Sequence, residues 1–275
     1  MPHATTRLPD AQRLSVGGIR ITALSDGPLP LGRDVLTGID APEYARLLRR
    51  DHHDPDTWRS GLNAFVIETA GRTVLVDAGV AGRMGDRTGR VPDNLAAAGF
   101  APGDIDTVFV THLHPDHIAG LLDGGGARFS NATLRVHGAD RDHFAGDDLP
   151  DAVLAAYEVE TFAAGIDIAP GLRALPLPGH TPGHSGLEIA DGDATLLLWT
   201  DIVHIAPVQL ANPDVGTTFD VDPDRARATR KALLDRVSAD ATPVLGSHVT
   251  FPGAGVIERL AEGFALRPLP YTHDG

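Results

Sequence analysis

A single α/β domain whose two halves form the layers of one sandwich is the fold this sequence predicts. Three observations predict it. A chain of 275 residues with 42% apolar content buries a sizeable core and suits one large domain better than two small ones. Strand-type and helix-type segments alternate through its middle. The second half repeats the plan of the first, with no short-period repeat, low-complexity tract or linker between them.

In chain order, GIRITALSDG, NAFVIETAG and RTVLVDAG read as strands closed by turn residues, the last two joined as a hairpin through Ala70-Gly71. VPDNLAAAGF reads as a helix with Pro92 in its first turn and Gly99 just past its end, and DIDTVFVTH as a buried strand after it. HIAGLLD is a short helix, TLRVHG a strand, and the alanine-rich run from about Pro150 to Ala164 a helix on an apolar face. LRALPLPGH is then a strand running into a loop, and LEIADGDATLLLWTD a hairpin turning at Asp191-Gly192. Asp222-Pro223 starts a helix with an apolar stripe of Leu233, Leu234 and Val237, and TPVLGSH is the final strand.

Composition excludes several functions. The formal charge of −14 disfavours binding to nucleic acid, which needs clustered Lys and Arg. The absence of cysteine removes disulfides, thiolate metal sites and a thiol nucleophile, leaving imidazole and carboxylate as the strong metal ligands. No apolar run approaches a bilayer span and the start, MPHATTRLPDAQRL, lacks a leader pattern. The expected location is therefore the cytoplasm, or the periplasm if a leader has been removed, with no membrane partner. Asn131-Ala132-Thr133 fits a glycosylation sequon and carries no weight without a secretory signal.

The chemistry concentrates in THLHPDHIAGL, residues 111 to 121. Side chains of an extended chain alternate, so His112 and His114 fall on one side and can bind one ion together. Pro115 stops the strand, and Asp116 and His117 begin the next helix, where the chain turns back toward a second ion nearby. Three more ligand-type residues follow apolar strands: His180 in PLPGHTPGHSG, Asp201 in LLLWTDIVH and His248 in VLGSHVTFPG. Those strand ends are the edge where α/β sheets bind ligands.

This order of HxHxDH, His, Asp and His resembles the metallo-β-lactamase fold superfamily. SDGPLPL, NAFVIETAGRTVLVDAGVAG, VQLANPDVGTTFDVDP and SHVTFPGAG extend the resemblance over nearly the whole chain, toward the methyl parathion hydrolase and acyl-homoserine lactonase-like branch. The resemblance implies a four-layer αββα sandwich with a binuclear metal centre. His112, His114 and His180 would hold one metal, Asp116, His117 and His248 the other, and Asp201 would bridge them. Asp77 in VLVDAG matches a motif whose acid orients the ligand loop by hydrogen bonds, and His184 is expected to hold its loop in the same way.

The implied activity is hydrolysis of a small lactone, aryl ester or phosphotriester through a hydroxide shared by two divalent ions, with Asp201 and Asp116 as the catalytic acids and bases. Zinc is the expected metal, and a His-carboxylate set also accepts Mn, Fe or Co. An acyl-homoserine lactonase or an organophosphate hydrolase specifically, a β-lactamase, and a metal-binding protein without turnover stand as alternatives. A flavodiiron-like redox protein would need a flavin domain for which this chain has no motif. The partners expected are a small-molecule substrate and a second copy of the chain. Residues 1–40 are read as an N-terminal extension with the first strands and a dimer contact, and residues 41–275 as the hydrolase portion of one structural domain.

His204 and Phe251, three positions after Asp201 and His248, are the substrate-pocket candidates, each either touching substrate or packing. Trp58 and Phe65 line an apolar wall or, the preferred reading, simply pack. His52, His53 and His143 belong to no motif and are expected at the surface, and His3 and His273 to the termini.

Overall fold

The structure is a computed structural model that describes residues 10–163 and 165–269; His3, His273 and residues 1–9 of the N-terminal stretch lie outside them. Among the described residues the chain forms two seven-stranded sheets. In the first, Ala11–Val16, Ile19–Ser25, Asn63–Thr69 and Arg72–Val76 make an antiparallel meander. The turn at Ala70-Gly71 has φ of 46° and 75°, the left-handed pair a two-residue hairpin needs. Thr107–Phe109, Thr133–His137 and Glu158–Phe162 then add in parallel, each reached through helical connections such as Val91–Ala97 and Asp148–Ala156.

The second sheet repeats this logic. Asp167–Ala169, Leu172–Pro176, Ser185–Asp191 and Ala194–Leu198 are antiparallel, and the helix Pro223–Asp240 carries the chain to Pro243–Leu245, parallel to Ala194–Leu198. That helix starts where Asp222 accepts a hydrogen bond from Arg225 N at 3.0 Å.

Burial follows the two-residue period. Val74 and Val76 face the space between the sheets with Phe65, Phe109, Leu187, Ile189, Leu198 and Leu245, whereas Leu75 between them faces Leu95 and Val108 on the outside. On the far side, Leu233, Leu234 and Val237 cover Leu197 and Val244. Helices therefore flank two packed sheets, the αββα architecture that the resemblance implied. Phe65 lies in the inter-sheet core, and Trp58 packs with Leu47, Ile205 and Val208 between the helices Ala41–Arg50 and Ala206–Gln209, so both are packing residues.

Three expectations need correction. The helix read over Pro150 to Ala164 spans Asp148–Ala156 and gives way to the strand Glu158–Phe162. Val159, Thr161 and Phe162 suit a pleated strand, and the Phe162 ring stacks on Phe109 at 5.4 Å, which draws the segment into the sheet. TPVLGSH is not the last strand: Ala254–Arg259 and Phe264–Pro268 continue the second sheet as an antiparallel hairpin. The second-half hairpin pairs Asp191 with Ala194, so it turns at Gly192-Asp193, where Gly192 supplies the positive φ of 60°. His52 and His143 are exposed and His53 is half-buried. Among the described residues, no helix is long and apolar enough to cross a membrane.

Candidate metal centre

The parallel strand Thr107–Phe109 points its end at the rim of the sheets, and the chain stays extended through His114, whose φ and ψ are −70° and 150°. Alternation then buries Leu113 in the core and places His112 and His114 together, their ring centres 4.7 Å apart. Pro115 opens a single helical turn that carries Asp116 and His117. Asp77, at the tip of the neighbouring strand Arg72–Val76, holds this segment in place. Its carboxylate accepts from Thr111 N at 3.0 Å and Thr111 Oγ1 at 2.8 Å, and from His117 Nδ1 at 2.7 Å. Asp77 has φ of 58°, a strained conformation for a non-glycine that these three bonds fix.

The second sheet brings its donors from three separate tips. Gly179, at φ 131°, lets the loop before His180 pass the helix Pro223–Asp240, because a Cβ there would lie 2.2 Å from Ala226 N. His180 Nδ1 donates to Asp220 Oδ1 at 2.9 Å, and its Nε2 lies 3.0 Å from His114 Nδ1. Asp220 also accepts from Thr217 N at 3.0 Å and faces the Arg230 guanidinium at 3.8 Å. Arg230 is 1% exposed and spends its remaining donors on the carbonyls of Ile202, Pro213 and Val215. Burial opposes ionisation of Asp220, yet its bond to His180 holds the carboxyl well below the usual range.

Asp201 is the hub. Its Oδ2 lies 2.9 Å from His248 Nε2, 3.3 Å from both His117 Nε2 and His204 Nε2, 3.7 Å from His180 Nε2 and 3.8 Å from His112 Nε2. Burial disfavours its charge, but His117, His248 and His112 outweigh that and keep it well below the ordinary carboxylate range. Asp116 Oδ2 sits 3.5 Å from His248 Nε2 and 3.7 Å from His117 Nε2. Burial likewise opposes protonation of His117 and His248, and Asp201 with Asp116 raises both above the ordinary imidazole value, as Asp77 does for His117. The carboxylates thus draw positive charge into a buried space.

Four overlapping donor groups have ligand atoms within 4.8 Å of one another: His112, His114 and His180; His112, His117 and Asp201; Asp116, His117 and His248; His180, Asp201 and His204. His112 Nε2, His117 Nε2 and Asp201 Oδ1 are buried without a hydrogen-bond partner among the described residues. Each such group costs about 1–3 kcal/mol when left unsatisfied, so three of them converging on one point fit a site built for cations. The supporting bonds agree. Nδ1 of His117 and of His180 donates to a carboxylate and Nδ1 of His248 to the Gly61 carbonyl at 3.1 Å, which turns each Nε2 toward the centre.

His184 stands apart from the donors. Its Nδ1 donates to Leu177 O at 2.9 Å and its Nε2 accepts from Thr200 Oγ1 at 2.6 Å, so both nitrogens are taken, and burial pushes its pKa down to about 3. His204 lies fully inside the cluster. Phe251 does not: it is half-buried against the inter-sheet core and lines a cavity of about 550 Å³ with Trp58, Val249 and Thr250, away from the donors.

Several supports escape a reading of the sequence. Asp140 is buried and ties the two donor loops together, accepting from Leu113 N at 3.3 Å, Thr181 Oγ1 at 2.8 Å and Gly183 N at 2.5 Å. Ser60 Oγ reaches the carbonyls of His204 and His248, and Asn63 Nδ2 donates to Val249 O at 2.7 Å. A strand tip preceding Asp140 in TLRVHGAD was a usable signal; Asp220, Arg230 and Ser60 had none.

A family model described as the metallo-beta-lactamase superfamily matches residues 58–248, more than half of the chain. An N-acyl homoserine lactonase of Bacillus cereus is 28% identical over 113 residues, 40% of this chain and 43% of that protein. The chain spans about half the length of the curated relatives it matches. Among solved structures, the hydrolase AbOPH in the beta lactamase superfamily superposes with a TM-score of 0.91 at 25% identity, covering 97% of this chain and 100% of that one. The dizinc quorum-quenching lactonase AidC, in complex with a product, gives 0.89 at 23% identity over 98% and 100%.

Proposed function

The chain belongs to the metallo-beta-lactamase superfamily, and from that premise we propose a metal-dependent hydrolase of small lactone, aryl ester or phosphotriester substrates. The observation that carries the reading is Asp201 Oδ2 lying within 3.8 Å of five imidazole Nε2 atoms, beside buried donors that lack partners. His112, His114 and His180 would hold one divalent ion and Asp116, His117 and His248 the second, with Asp201 shared. Bound there, such ions lower the pKa of water from about 15.7 to about 7 and polarise the scissile carbonyl or phosphoryl oxygen. Zinc suits imidazole-rich sets of this kind.

The chain's own groups do the rest. Asp201, held ionised, orients the attacking water and accepts its proton. Asp116 has a side chain 15% exposed, against 2% for Asp201, so it faces the open side, where it is placed to relay to the leaving group the proton that Asp201 takes from the water. Asp77 and Asp220 fix the tautomers of His117 and His180. His204, with its pKa pushed down to about 4 by burial, is a neutral imidazole whose Nε2 faces Asp201, in one donor group with it and His180.

The lactone arm is the stronger one, because curated relatives that match 40% and 55% of this chain carry the name N-acyl homoserine lactonase. We infer a homodimer as the working form. The test is elemental analysis of reconstituted protein, then a parallel comparison of kcat/KM for acyl-homoserine lactones, an aryl ester, a phosphotriester and a β-lactam. Two equivalents of metal and a preference for lactones are expected. Protein that binds no metal, or turnover that survives chelation, would refute the reading.

A further inference from the structure

The cavity of about 550 Å³ beside Phe251 takes no part in the chemistry above, and its lining is divided by type. Trp58, Leu210, Val249, Phe251 and Phe264 give it an apolar wall. Its basic groups are the guanidiniums of Arg50 and Arg267 and the imidazoles of His52 and His53, against one carboxylate, Asp51, among the described residues. Arg50, His52 and Arg267 are exposed, so these groups form the rim. A basic rim runs against the background of a chain with a formal charge of −14. Arg50 Nε donates to Asp51 Oδ1 at 3.0 Å and Arg267 Nε to Glu258 Oε2 at 2.5 Å, and the terminal nitrogens of both guanidiniums make no hydrogen bond within the described chain. The rim is also built, not incidental. The helix Ala41–Arg50 ends where His52 takes φ of 62°, a left-handed position that glycine usually fills. His53 N then donates to Leu48 O at 2.9 Å, and the His53 ring stands edge-on to Trp58 at 4.5 Å.

Small-molecule sites have volumes of about 300–1,000 Å³ and pair an apolar lining with a few placed polar groups, and this cavity has both properties. An apolar wall under a cationic rim selects a molecule with an apolar body and a negative end, because burial favours the one and charge-assisted hydrogen bonds the other. We propose that the cavity is a second ligand site, separate from the metal centre, for amphipathic carboxylates. The carboxylate pairs with the guanidiniums of the rim while the apolar body covers Trp58 and Phe251. Hydrolysis of an ester or lactone releases a carboxylate, so the site takes acids of the product class; that assignment rests on the hydrolase reading above, whereas the binding itself does not. The occupant also packs on segments continuous with two donors. Val249 follows His248, Ala206 lies two positions after His204, and Trp58 lies two before Ser60, whose Oγ reaches the carbonyls of both histidines.

The experiment is calorimetric titration of metal-loaded protein with decanoate, with acetate and with decyltrimethylammonium, which lack the apolar body and the negative charge in turn. Wild type should bind decanoate with a Kd of about 1 mM or below and the other two at least about tenfold more weakly. Two variants attack the site from opposite sides. The double variant Arg50→Gln, Arg267→Gln removes the rim charge at exposed positions, and Ala265→Trp fills the cavity from a half-buried position in its lining. Each should weaken decanoate binding about tenfold or more. No heat from decanoate up to about 10 mM overturns the proposal, as does equal affinity for the cation. Binding that is unchanged in both variants and lost on chelation overturns it too and assigns the carboxylate to the metals. A dimer that Ala265→Trp dissociates, seen by sedimentation, overturns it in favour of a second copy as the occupant. Turnover is not measured here, so absence of hydrolase activity would sink the reading above and leave this site standing.

Discussion

The two halves of the donor set reach one centre by different routes. Four donors, His112, His114, Asp116 and His117, sit on a strand end and one helical turn. Outside support for the segment is small: Asp77 accepts from the amide and hydroxyl of Thr111 within the same segment, and Asp140 accepts from Leu113 N. The other donors, His180, Asp201, His204 and His248, come from loops spread over more than sixty positions. They rely on Asp220, the buried Arg230, Asp140, Ser60 and Asn63 to hold them. Local donors are ordered by chain direction and a proline, whereas distant donors must be ordered by buried polar contacts, whose desolvation has to be matched bond for bond.

That contrast can be broken or sharpened by substitution. The largest effect belongs to the residue the halves share: Asp201→Asn should keep the fold and lower kcat/KM about a thousandfold, with steady-state rates and circular dichroism as the readouts. Arg230→Met attacks only the dispersed half. It strands Asp220 and three carbonyls, so denaturant unfolding should show a loss of about 3 kcal/mol, and an unchanged midpoint would remove the argument for this scaffold.

Asp77→Asn and Asp220→Asn compare the two backing acids directly. Each should weaken metal binding by about ten- to a hundredfold in competition with a chelator. The Asp220 variant should also unfold more readily than the Asp77 variant, because it leaves Arg230 without its counter-charge. The smallest effect is expected at His184→Phe, which should cost about 1–2 kcal/mol through the lost bonds to Leu177 and Thr200 while metal stoichiometry holds. Loss of one metal equivalent in that variant would place His184 among the donors instead.

Most of the fold was legible. The hairpin at Ala70-Gly71, the cap at Asp222 and the strand tips bearing donors all follow from local rules that the structure obeys. Glu158–Phe162 was hidden because an alanine-rich helix runs straight into it and only pairing with Thr133–His137 decides its state. The hairpin Ala254–Arg259 with Phe264–Pro268 is illegible for a similar reason: its strands mix apolar and charged positions at the edge of a sheet, where the pattern is weakest.

The site divides in the same way. Asp77 was readable since it ends an apolar strand. Asp220 sits among Asp214, Asp222 and Asp224, and nothing local separates it from them. Arg230 is one of several basic residues on the helix Pro223–Asp240, and only the packing of that helix buries it.

The sequence by itself determined the alternation of elements, the donor types and their order along the chain, because these depend on side-chain period, turn chemistry and the absence of thiols. Tertiary structure alone decided which acid backs which imidazole, that His204 joins the cluster while Phe251 does not, and that Phe219 is left in water. The physical reason is that hydrogen-bond partners and burial depend on distances between segments remote in the chain, and no local propensity encodes a distance.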